Sequence, residues 1–288
     1  METQGKYRLL SLDMDGTTLD SQKKVPTAIT DAILALQSQG IFVVVGSGRG
    51  LCELVDYRKS LKGIDYGILL SGGLIYDFRR EVPLLVHAIP TDTVLTVIEI
   101  ARQEDAMLQL MTTRESAVSE RDIERMPEMY MGIYQDMYRR VCTRITNQPK
   151  FAEQHAHDVV KINLYHTSPE SCARTIKRLA ALDLTVVHAE GTGCEANLLG
   201  ITKGTGLKDL CAKLGIPLEE TVAIGDAEND LDIMKTAGLA VAMGNATAAV
   251  KAIAHDVVSD NDHEGVLEAI KKYFPSFSLS CHQEKILL

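Results

Sequence analysis

The chain has 288 residues, of which 45% are hydrophobic and 24% are charged, the balance of an ordinary globular protein. Its length favours about two domains. The formal net charge is −9 and no Lys/Arg-rich block is present, so a nucleic-acid partner is not expected. An anionic small substrate would therefore need local cations or a metal ion.

The cysteines and the N-terminus predict a cytoplasmic protein. The six cysteines are scattered and form no C-x-x-C pair, so we expect reduced thiols. The N-terminal residues METQGKYR do not resemble a signal peptide, and no apolar run approaches the ~20 residues that span a bilayer. No membrane partner is expected, and the oligomeric state is left open.

The first 50 residues predict a parallel βαβ unit. The apolar run 7–12 (YRLLSL) predicts a buried strand, and PTAITDAILALQSQG predicts a helix with Pro26 at its first position and Gly40 after its end. The apolar run IFVVV follows directly. A strand, a helix and a second buried strand in this order are typical of parallel pairing.

The same alternation returns near the C-terminus. TKGTGLKDLCAKLG, NDLDIMKTAG and TAAVKAIA predict helices, and TVAIGD and LAVAMGN predict strands between them. We therefore expect the two ends of the chain to form one α/β domain, a doubly wound, Rossmann-like parallel sheet. The predicted boundaries of this core are 1–83 and 191–288. The tail SFSLSCHQEKILL has a weak pattern and is predicted to be a frayed extension.

The middle of the chain, 84–190, predicts an inserted α+β domain. Its extended runs AMLQLMTT, VVKINLYHT and LTVVHAE favour antiparallel pairing, and TDTVLTVIEIARQED predicts a helix. A second helix is predicted in SPESCARTIKRLAAL, with Ser168 as N-cap and Pro169 at N1. Tyr130, Tyr134 and Tyr138 recur every four residues, which predicts one helical stripe. The stripe is expected to pack this insert, or else to place some of its side chains over the active site, where they would select the leaving group.

The stretch IFVVVGSGRGL could be a phosphate-binding loop of either of two kinds. A dinucleotide fingerprint needs G-x-G-x-x-G after the first strand. Here Gly46 and Gly48 fit, but Leu51 occupies the third position and the motif follows the second strand. The alternative is a clamp for a single phosphate group.

Reactive side chains at the strand ends favour the second kind. Asp13 and Asp15 follow the first strand, Ser47 follows the second, and TVAIG is followed by Asp226, Asn229 and Asp230. Parallel sheets place ligand sites at the carboxyl ends of their strands, so these groups predict a phosphoryl site.

The acids have complementary chemical roles in such a site. The carboxylate of Asp13 can attack phosphorus and form an aspartyl-phosphate. Asp15 can protonate the leaving oxygen and later deprotonate the attacking water. Because two carboxylates repel a phosphate, we expect Mg²⁺, held by Asp13, the backbone carbonyl of Asp15 and Asp226.

The remaining groups would hold the phosphate. Lys203 begins a C-terminal helix and can neutralise charge as the phosphoryl group transfers. The hydroxyl of Ser47 and the N–H of Gly48 can bind the non-bridging phosphate oxygens, and glycine permits a close approach. The glycine-rich stretch is therefore predicted to be a single-phosphate clamp.

Four segments resemble the motifs of the haloacid dehalogenase (HAD) superfamily. LDMDGTTLD resembles the D-x-D-G-T motif, VGSGR the second motif, GITKG the lysine motif and IGDAENDLDIM the G-D-x-x-N-D motif. The insert after the second motif resembles the Cof-like branch with a type-II cap. This resemblance implies a Mg²⁺-dependent phosphatase that hydrolyses small phosphate esters, often sugar phosphates.

The resemblance also implies roles for residues of the fourth motif. Asp226 is a metal ligand, while Asn229 and Asp230 orient the metal-bound water and the lysine. Asn229 thereby joins Ser47, Gly48 and Lys203 among the phosphate-binding residues. One departure concerns LLSGGLIYD, where Gly72 stands at a position usually held by asparagine, so that a polar substrate contact would be missing.

Three other functions remain open from the sequence. A phosphotransferase or mutase would use the same first step and pass the phosphoryl group to a hydroxyl other than water. A phospho-accepting signalling module shares the aspartate, Mg²⁺, hydroxyl and lysine, but it has no need of Asp15 or of an insert. A catalytically dead binding module is disfavoured because every motif position is retained.

Overall fold

The computed structural model describes residues 5–189 and 191–275. Cys281 and the tail from Ser276 onward lie outside the described residues, as does Glu190. The strands, in chain order, are β1 (Leu9–Leu12), β2 (Phe42–Gly46), β3 (Tyr66–Leu69), β4 (Leu74–Asp77), β5 (Val82–Val86), β6 (Met107–Thr112), β7 (Ser116–Ser119), β8 (Thr143–Ile145), β9 (Val159–Tyr165), β10 (Leu184–His188), β11 (Gly193–Leu198), β12 (Thr221–Gly225), β13 (Leu239–Ala242) and β14 (Asp256–Val257).

Helices separate most of these strands. In chain order they are α1 (Thr27–Ser38), α2 (Thr91–Gln103), α3 (Glu120–Arg125), α4 (Gln135–Val141), α5 (Gln148–Gln154), α6 (Pro169–Leu179), α7 (Lys203–Leu214), α8 (Leu231–Thr236), α9 (Ala248–Ile253) and α10 (Gly265–Tyr273). Within the described ranges, none of these helices is long and apolar enough to cross a membrane. The five described cysteines are free thiols, as expected.

The chain divides into two compact units. The first comprises 1–46, 57–67 and 207–288, and the second comprises 47–56 and 68–206.

The first unit is built on parallel strands. Its strands lie in the order β14-β13-β12-β1-β2, and every pairing among them is parallel. The residues of β1 and β12 are fully buried, which explains why these strands are continuous apolar runs rather than alternating ones. This observation confirms the predicted α/β parallel core.

The second unit contains a six-stranded sheet in the order β10-β11-β9-β6-β7-β8. Its pairings are antiparallel except for that of β7 with β8. One face of the sheet packs against α2, α5 and α6 in a single apolar cluster. The predicted α+β insert is therefore confirmed. The unit also contains an antiparallel hairpin of β4 and β5, which the sequence did not predict.

Local signals placed most helix ends correctly, with two corrections. The hydroxyl of Ser168 accepts the N–H of Ser171, and Pro169 begins α6 as predicted. Pro26, however, precedes α1 as its N-cap residue and is not its first helical residue. The prediction that the three tyrosines share one helix is also wrong. Tyr130 adopts a left-handed backbone conformation (φ 61°) that ends a 3₁₀ turn. Tyr130 is 69% exposed, whereas Tyr138 on α4 is buried.

Candidate active site

Three aspartate carboxylates come together in the first unit. Asp13 directly follows β1 and Asp226 directly follows β12, and the N–H of Asp13 donates to the carbonyl of Ile224 at 3.1 Å. The third member is Asp230, at the end of a short 3₁₀ turn. One carboxylate oxygen from each aspartate lies within 4.8 Å of the other two. Such a group of oxygen ligands suits a hard divalent cation.

The carboxylate of Asp226 is held from the loop after β1. The hydroxyl of Thr17, which is fully buried, donates to Asp226 Oδ1 at 2.8 Å. Gly16 has a φ of +78°, and a Cβ atom placed on it would lie 2.3 Å from Asp226 Oδ2. Glycine is therefore needed at this position both for its backbone conformation and for the close approach of the carboxylate.

Asp230 is fixed by the backbone around Asp226. Its Oδ2 atom accepts the N–H of Asp226 at 3.0 Å and the N–H of Ala227 at 3.2 Å. The residue is only 1% exposed, and a Cβ atom on Gly225 would lie 2.6 Å from its side chain. Asp230 therefore holds the turn that presents Asp226, and it also contributes a carboxylate oxygen to the acidic group.

The other predicted residues of this unit lie nearer to solvent. The Asp15 carboxylate is 40% exposed and forms an ion pair with Lys23 at 2.9 Å. Its side chain is not a member of the three-carboxylate group. Asn229 is exposed within the 3₁₀ turn. The predicted roles of these two residues stay predictions.

Two asparagines support the loop after β1, and sequence reasoning did not identify them. Asn245 donates its side-chain amide to the carbonyl of Gly16 at 2.8 Å. Asn261 donates to the carbonyl of Leu19 at 2.8 Å, and its own N–H donates to Asn245 Oδ1 at 3.2 Å. They lie in the stretches AVAMGNA and NDHEGV, outside the four motif segments.

The predicted phosphate clamp belongs to the second unit. Ser47 is 2% exposed, its N–H donates to the carbonyl of Ile68 at 2.9 Å, and its carbonyl accepts the N–H of Ser71 at 3.1 Å. Its hydroxyl accepts the N–H of Arg49 at 3.2 Å. Because that bond uses a lone pair of the hydroxyl oxygen, the hydroxyl hydrogen can be donated to a phosphate oxygen.

Lys203 begins α7 and is 2% exposed. The start of the helix is tied by Thr202 and Thr205, whose hydroxyls accept each other's backbone N–H. Gly72, with a φ of +100°, lies so close that a Cβ atom on it would be 2.0 Å from the carbonyl oxygen of Thr202. Gly72, which stands where asparagine is usual, therefore lies at a point where two backbone segments pack tightly beside Lys203.

A second buried lysine lies at the clamp, and sequence reasoning missed it. Lys161 on β9 is 1% exposed and pairs with Glu195 on β11 at 2.7 Å. Its ammonium also donates to the carbonyl of Gly48 at 3.1 Å, and the hydroxyl of Ser71 donates to Glu195 at 3.1 Å. The signal available in the sequence was a single charged residue within the predicted strand VVKINLY.

The ionisation of Glu195 follows from these contacts. Burial by itself raises the pKa of a carboxyl group, but here the charge and hydrogen bond of Lys161, the hydroxyl of Ser71 and the charge of Lys203 outweigh it. The net result is a Glu195 pKa below its ordinary value. Glu195 is therefore an anion at neutral pH, and it balances the buried ammonium.

Polar side chains continue across the same face of the inserted sheet. Gln109, Asn163 and Glu195 form one row across three strands, since Asn163 pairs in register with both of the others. The amide of Asn163 donates to Gln109 Oε1 at 2.8 Å. Over the described ranges, the Oδ1 atom of Asn163 is the only buried side-chain nitrogen or oxygen without a hydrogen-bond partner.

Comparison with known proteins places this chain in one family. A family model described as haloacid dehalogenase-like hydrolase matches residues 10–270. The 5-amino-6-(5-phospho-D-ribitylamino)uracil phosphatase YcsE of Bacillus subtilis is 26% identical over 92% of this chain and 95% of its own length. A phosphoglycolate phosphatase of Methanoculleus marisnigri is 28% identical over 93% and 97%.

A solved structure shows the same architecture. A haloacid dehalogenase-like hydrolase from Bacteroides thetaiotaomicron superposes with a TM-score of 0.80 at 27% identity, over 92% of this chain and 99% of that one. The family match, the parallel core and the inserted antiparallel sheet agree with one another. The chain therefore belongs to the haloacid dehalogenase-like hydrolases, in the Cof-like branch with a type-II cap.

Proposed function

We propose that this hydrolase is a Mg²⁺-dependent phosphatase that cleaves a small phosphorylated metabolite through an aspartyl-phosphate on Asp13. The observation that carries the proposal is the group of three aspartates: Asp13 and Asp226 at the ends of parallel strands, and Asp230 in the turn that follows. A fold alone is compatible with many activities, so the chemistry of these side chains supports the assignment.

The acidic group fits the metal that the family implies. Its donors are carboxylate oxygens only, which Mg²⁺ prefers over nitrogen or sulfur ligands. Asp13, Asp226 and the backbone carbonyl of Asp15 would hold the ion, with Asp230 beside them. When bound, the ion would supply positive charge that offsets the repulsion between these acids and a phosphate.

The acids of this unit carry out two steps. A carboxylate oxygen of Asp13 forms a bond to phosphorus while the bond from phosphorus to the ester oxygen breaks, and Asp15 gives its proton to that oxygen. Asp15 then takes a proton from water, whose oxygen bonds to phosphorus as the bond to Asp13 breaks. Inorganic phosphate is released and both carboxyl groups return to their starting states.

Four further residues are proposed to hold the phosphate. The hydroxyl of Ser47, the N–H of Gly48 and the side-chain amide of Asn229 would donate to its oxygens, and the ammonium of Lys203 would offset its charge. The support for this role is the arrangement of Ser47, whose hydroxyl already accepts the N–H of Arg49.

The substrate is proposed to be a phosphomonoester of a small polyhydroxy compound, such as a sugar phosphate. Two relatives are named for phosphate esters of small organic molecules, one of which carries a phosphoribityl chain. In this chain, Gln109, Lys161, Asn163 and Glu195 line a polar sheet face, and Asn163 Oδ1 is an acceptor suited to a substrate hydroxyl. Gln109, Lys161 and Asn163 belong to the proposed cap, 84–190, which selects the substrate. The proposed catalytic core, 1–83 and 191–288, contains Glu195.

A panel of phosphorylated sugars, polyols, cofactors and nucleotides, assayed for phosphate release with Mg²⁺, tests this function. Asp13→Asn should reduce turnover at least about 1,000-fold, because the nucleophile is lost. Asp31→Asn, at an exposed position on α1, is the matched control and should retain activity. Survival of hydrolysis in Asp13→Asn would show that the nucleophile is misassigned. Transfer of phosphate to an added alcohol, in place of release, would identify a phosphotransferase.

A further inference from the structure

The backbone carbonyl groups of Ser47 and Gly48, the two residues of the phosphate clamp, both accept hydrogen bonds from other residues of the second unit. The carbonyl of Ser47 accepts the N–H of Ser71, and the carbonyl of Gly48 accepts the ammonium of Lys161. In a trans peptide the C=O and the N–H of one unit point in opposite directions. Holding the Ser47 carbonyl therefore fixes the direction of the Gly48 N–H.

The same reasoning applies one peptide further along. Holding the Gly48 carbonyl fixes the Arg49 N–H, which donates to the Ser47 hydroxyl. Because the Ser47 hydroxyl oxygen accepts this N–H, its own hydrogen points away from the Arg49 backbone. Both proposed phosphate donors, the Gly48 N–H and the Ser47 hydroxyl, thus depend on the orientation of two peptide planes.

Glu195 contacts both residues that hold the clamp carbonyls, Lys161 and Ser71. Its carboxylate accepts both the Lys161 ammonium at 2.7 Å and the Ser71 hydroxyl at 3.1 Å. Ser71 has a left-handed backbone with a φ of 57°, which a non-glycine residue adopts only when surrounding contacts hold it. A Cβ atom on Gly48 would lie only 3.0 Å from the Lys161 ammonium, so the lysine packs directly against the clamp.

A third contact fixes the next part of the loop. Glu53 accepts the N–H of Gly50 at 2.8 Å and the side-chain amide of Gln109 at 3.1 Å. Gln109 lies on β6, in the same row of the sheet as Glu195. The polar face of the inserted sheet thus holds the loop 47–56 at both Gly48 and Gly50.

We infer that Lys161 is a positioning residue for the phosphate clamp and that Glu195 holds Lys161 in place for this role. The inference rests on the proposed function of Ser47 and Gly48 as phosphate ligands. It assigns to the inserted sheet a part in binding the phosphate group itself, in addition to selecting the rest of the substrate. A buried ammonium is costly unless it is paired, and here its pairing partners are the clamp and one carboxylate.

Replacement of Lys161 by methionine tests the inference. Lys161→Met keeps the length of the side chain but removes the charge and the donors. Binding of inorganic phosphate to the Mg²⁺-loaded protein, measured by calorimetry, should weaken roughly 10- to 100-fold. KM for p-nitrophenyl phosphate should rise by a similar factor, and Lys161→Arg should recover part of the loss. Lys177→Met, at an exposed position on α6, is the control.

The double variant Lys161→Met/Glu195→Gln separates positioning from simple stability. Removing both charges leaves no unpaired buried ion, so the double variant should unfold at a higher denaturant concentration than either single variant. Its phosphate binding should nevertheless stay weak, since the Gly48 carbonyl still lacks its donor. If Lys161→Met does not fold, phosphate binding is measured on the double variant alone.

Two results would overturn the inference. One is phosphate binding within about twofold of the wild type in folded Lys161→Met. The other is recovery of phosphate binding together with stability in the double variant. Both differ from a failure of the proposed function, which would appear as a wild-type protein that releases no phosphate from any ester of the panel.

Discussion

Gly16 and Asp226 approach each other so closely that no side chain larger than hydrogen fits between them. A Cβ atom on Gly16 would lie 2.3 Å from Asp226 Oδ2 and 2.8 Å from its Cγ atom. The glycine of the first motif thus shapes the position of an acid more than 200 residues further along the chain. The consequence is a specific dependence of the acidic group on this glycine.

Gly16→Ala should displace the Asp226 carboxylate and weaken Mg²⁺ binding. We expect the Mg²⁺ concentration for half-maximal activity to rise roughly 10- to 100-fold, as for loss of other groups that orient metal ligands. Gly40→Ala is a matched control, because Gly40 has the same φ of +78° but has nothing within 4 Å of its Cβ position. Both variants should lose about 1 kcal/mol of stability from backbone strain. Equal metal affinity in the two would refute the role of close approach.

Thr17→Val should loosen the same carboxylate without changing the volume of the side chain. The variant removes the hydrogen bond of 2.8 Å from the buried Thr17 hydroxyl to Asp226 Oδ1. Calorimetric titration with Mg²⁺ should show about a tenfold weaker affinity. Thr96→Val provides the comparison, because that exposed hydroxyl bonds only within α2. A metal affinity unchanged in Thr17→Val would mean that the bond does not orient the ligand.

Gly72→Ala should disturb the start of α7 and hence Lys203. The added Cβ atom would lie 2.0 Å from the Thr202 carbonyl oxygen and 3.1 Å from the Lys203 nitrogen, so the backbone must move. A displacement of Lys203 should lower kcat roughly 10- to 100-fold. Gly200 also has a positive φ (+80°), but a Cβ atom on it would have no other atom within 4 Å. Gly200→Ala should therefore keep its kcat. A normal kcat in a folded Gly72→Ala variant would contradict this account.

His166 should make the stability of the protein depend on pH. Its ring is fully buried, with Nδ1 at 3.0 Å from the Thr192 carbonyl and Nε2 at 2.8 Å from the Thr175 hydroxyl. Burial holds the pKa of His166 below its ordinary value of 6.5. Below pH 6.5 the unfolded chain therefore takes up a proton that the folded chain does not. Stability contributed by neutral His166 is complete above pH 6.5 and is lost as the pH falls towards the folded pKa.

Urea unfolding between pH 7.5 and pH 5 measures this effect. The free energy of unfolding of the wild type should fall by up to about 1.4 kcal/mol per pH unit more steeply than that of His166→Gln, which lacks the titrating ring. His188→Gln, at an exposed position on β10, should follow the wild type. Parallel pH profiles for the wild type and His166→Gln would show that His166 does not titrate on unfolding.

The sequence by itself predicted the features that depend on neighbours along the chain. Buried apolar runs identified β1, β2 and β12, and the rule that ligands gather at the ends of parallel strands singled out Asp13 and Asp226. The Ser168 cap and the start of α6 were also predictable, because a cap forms between residues only a few positions apart. At Tyr130 the four-residue spacing predicted a helix, and this prediction was wrong because the residue ends a 3₁₀ turn.

Only the tertiary structure decided which distant residues meet. Lys161 and Glu195 are brought together by the register of β9 with β11, and Gly72 meets Thr202 across 130 positions of sequence. Neither pair has a local signature, since the pairing of strands and the approach of backbones depend on how the whole unit packs. The sequence thus determined the chemical groups and their order, and packing determined which of them support one another.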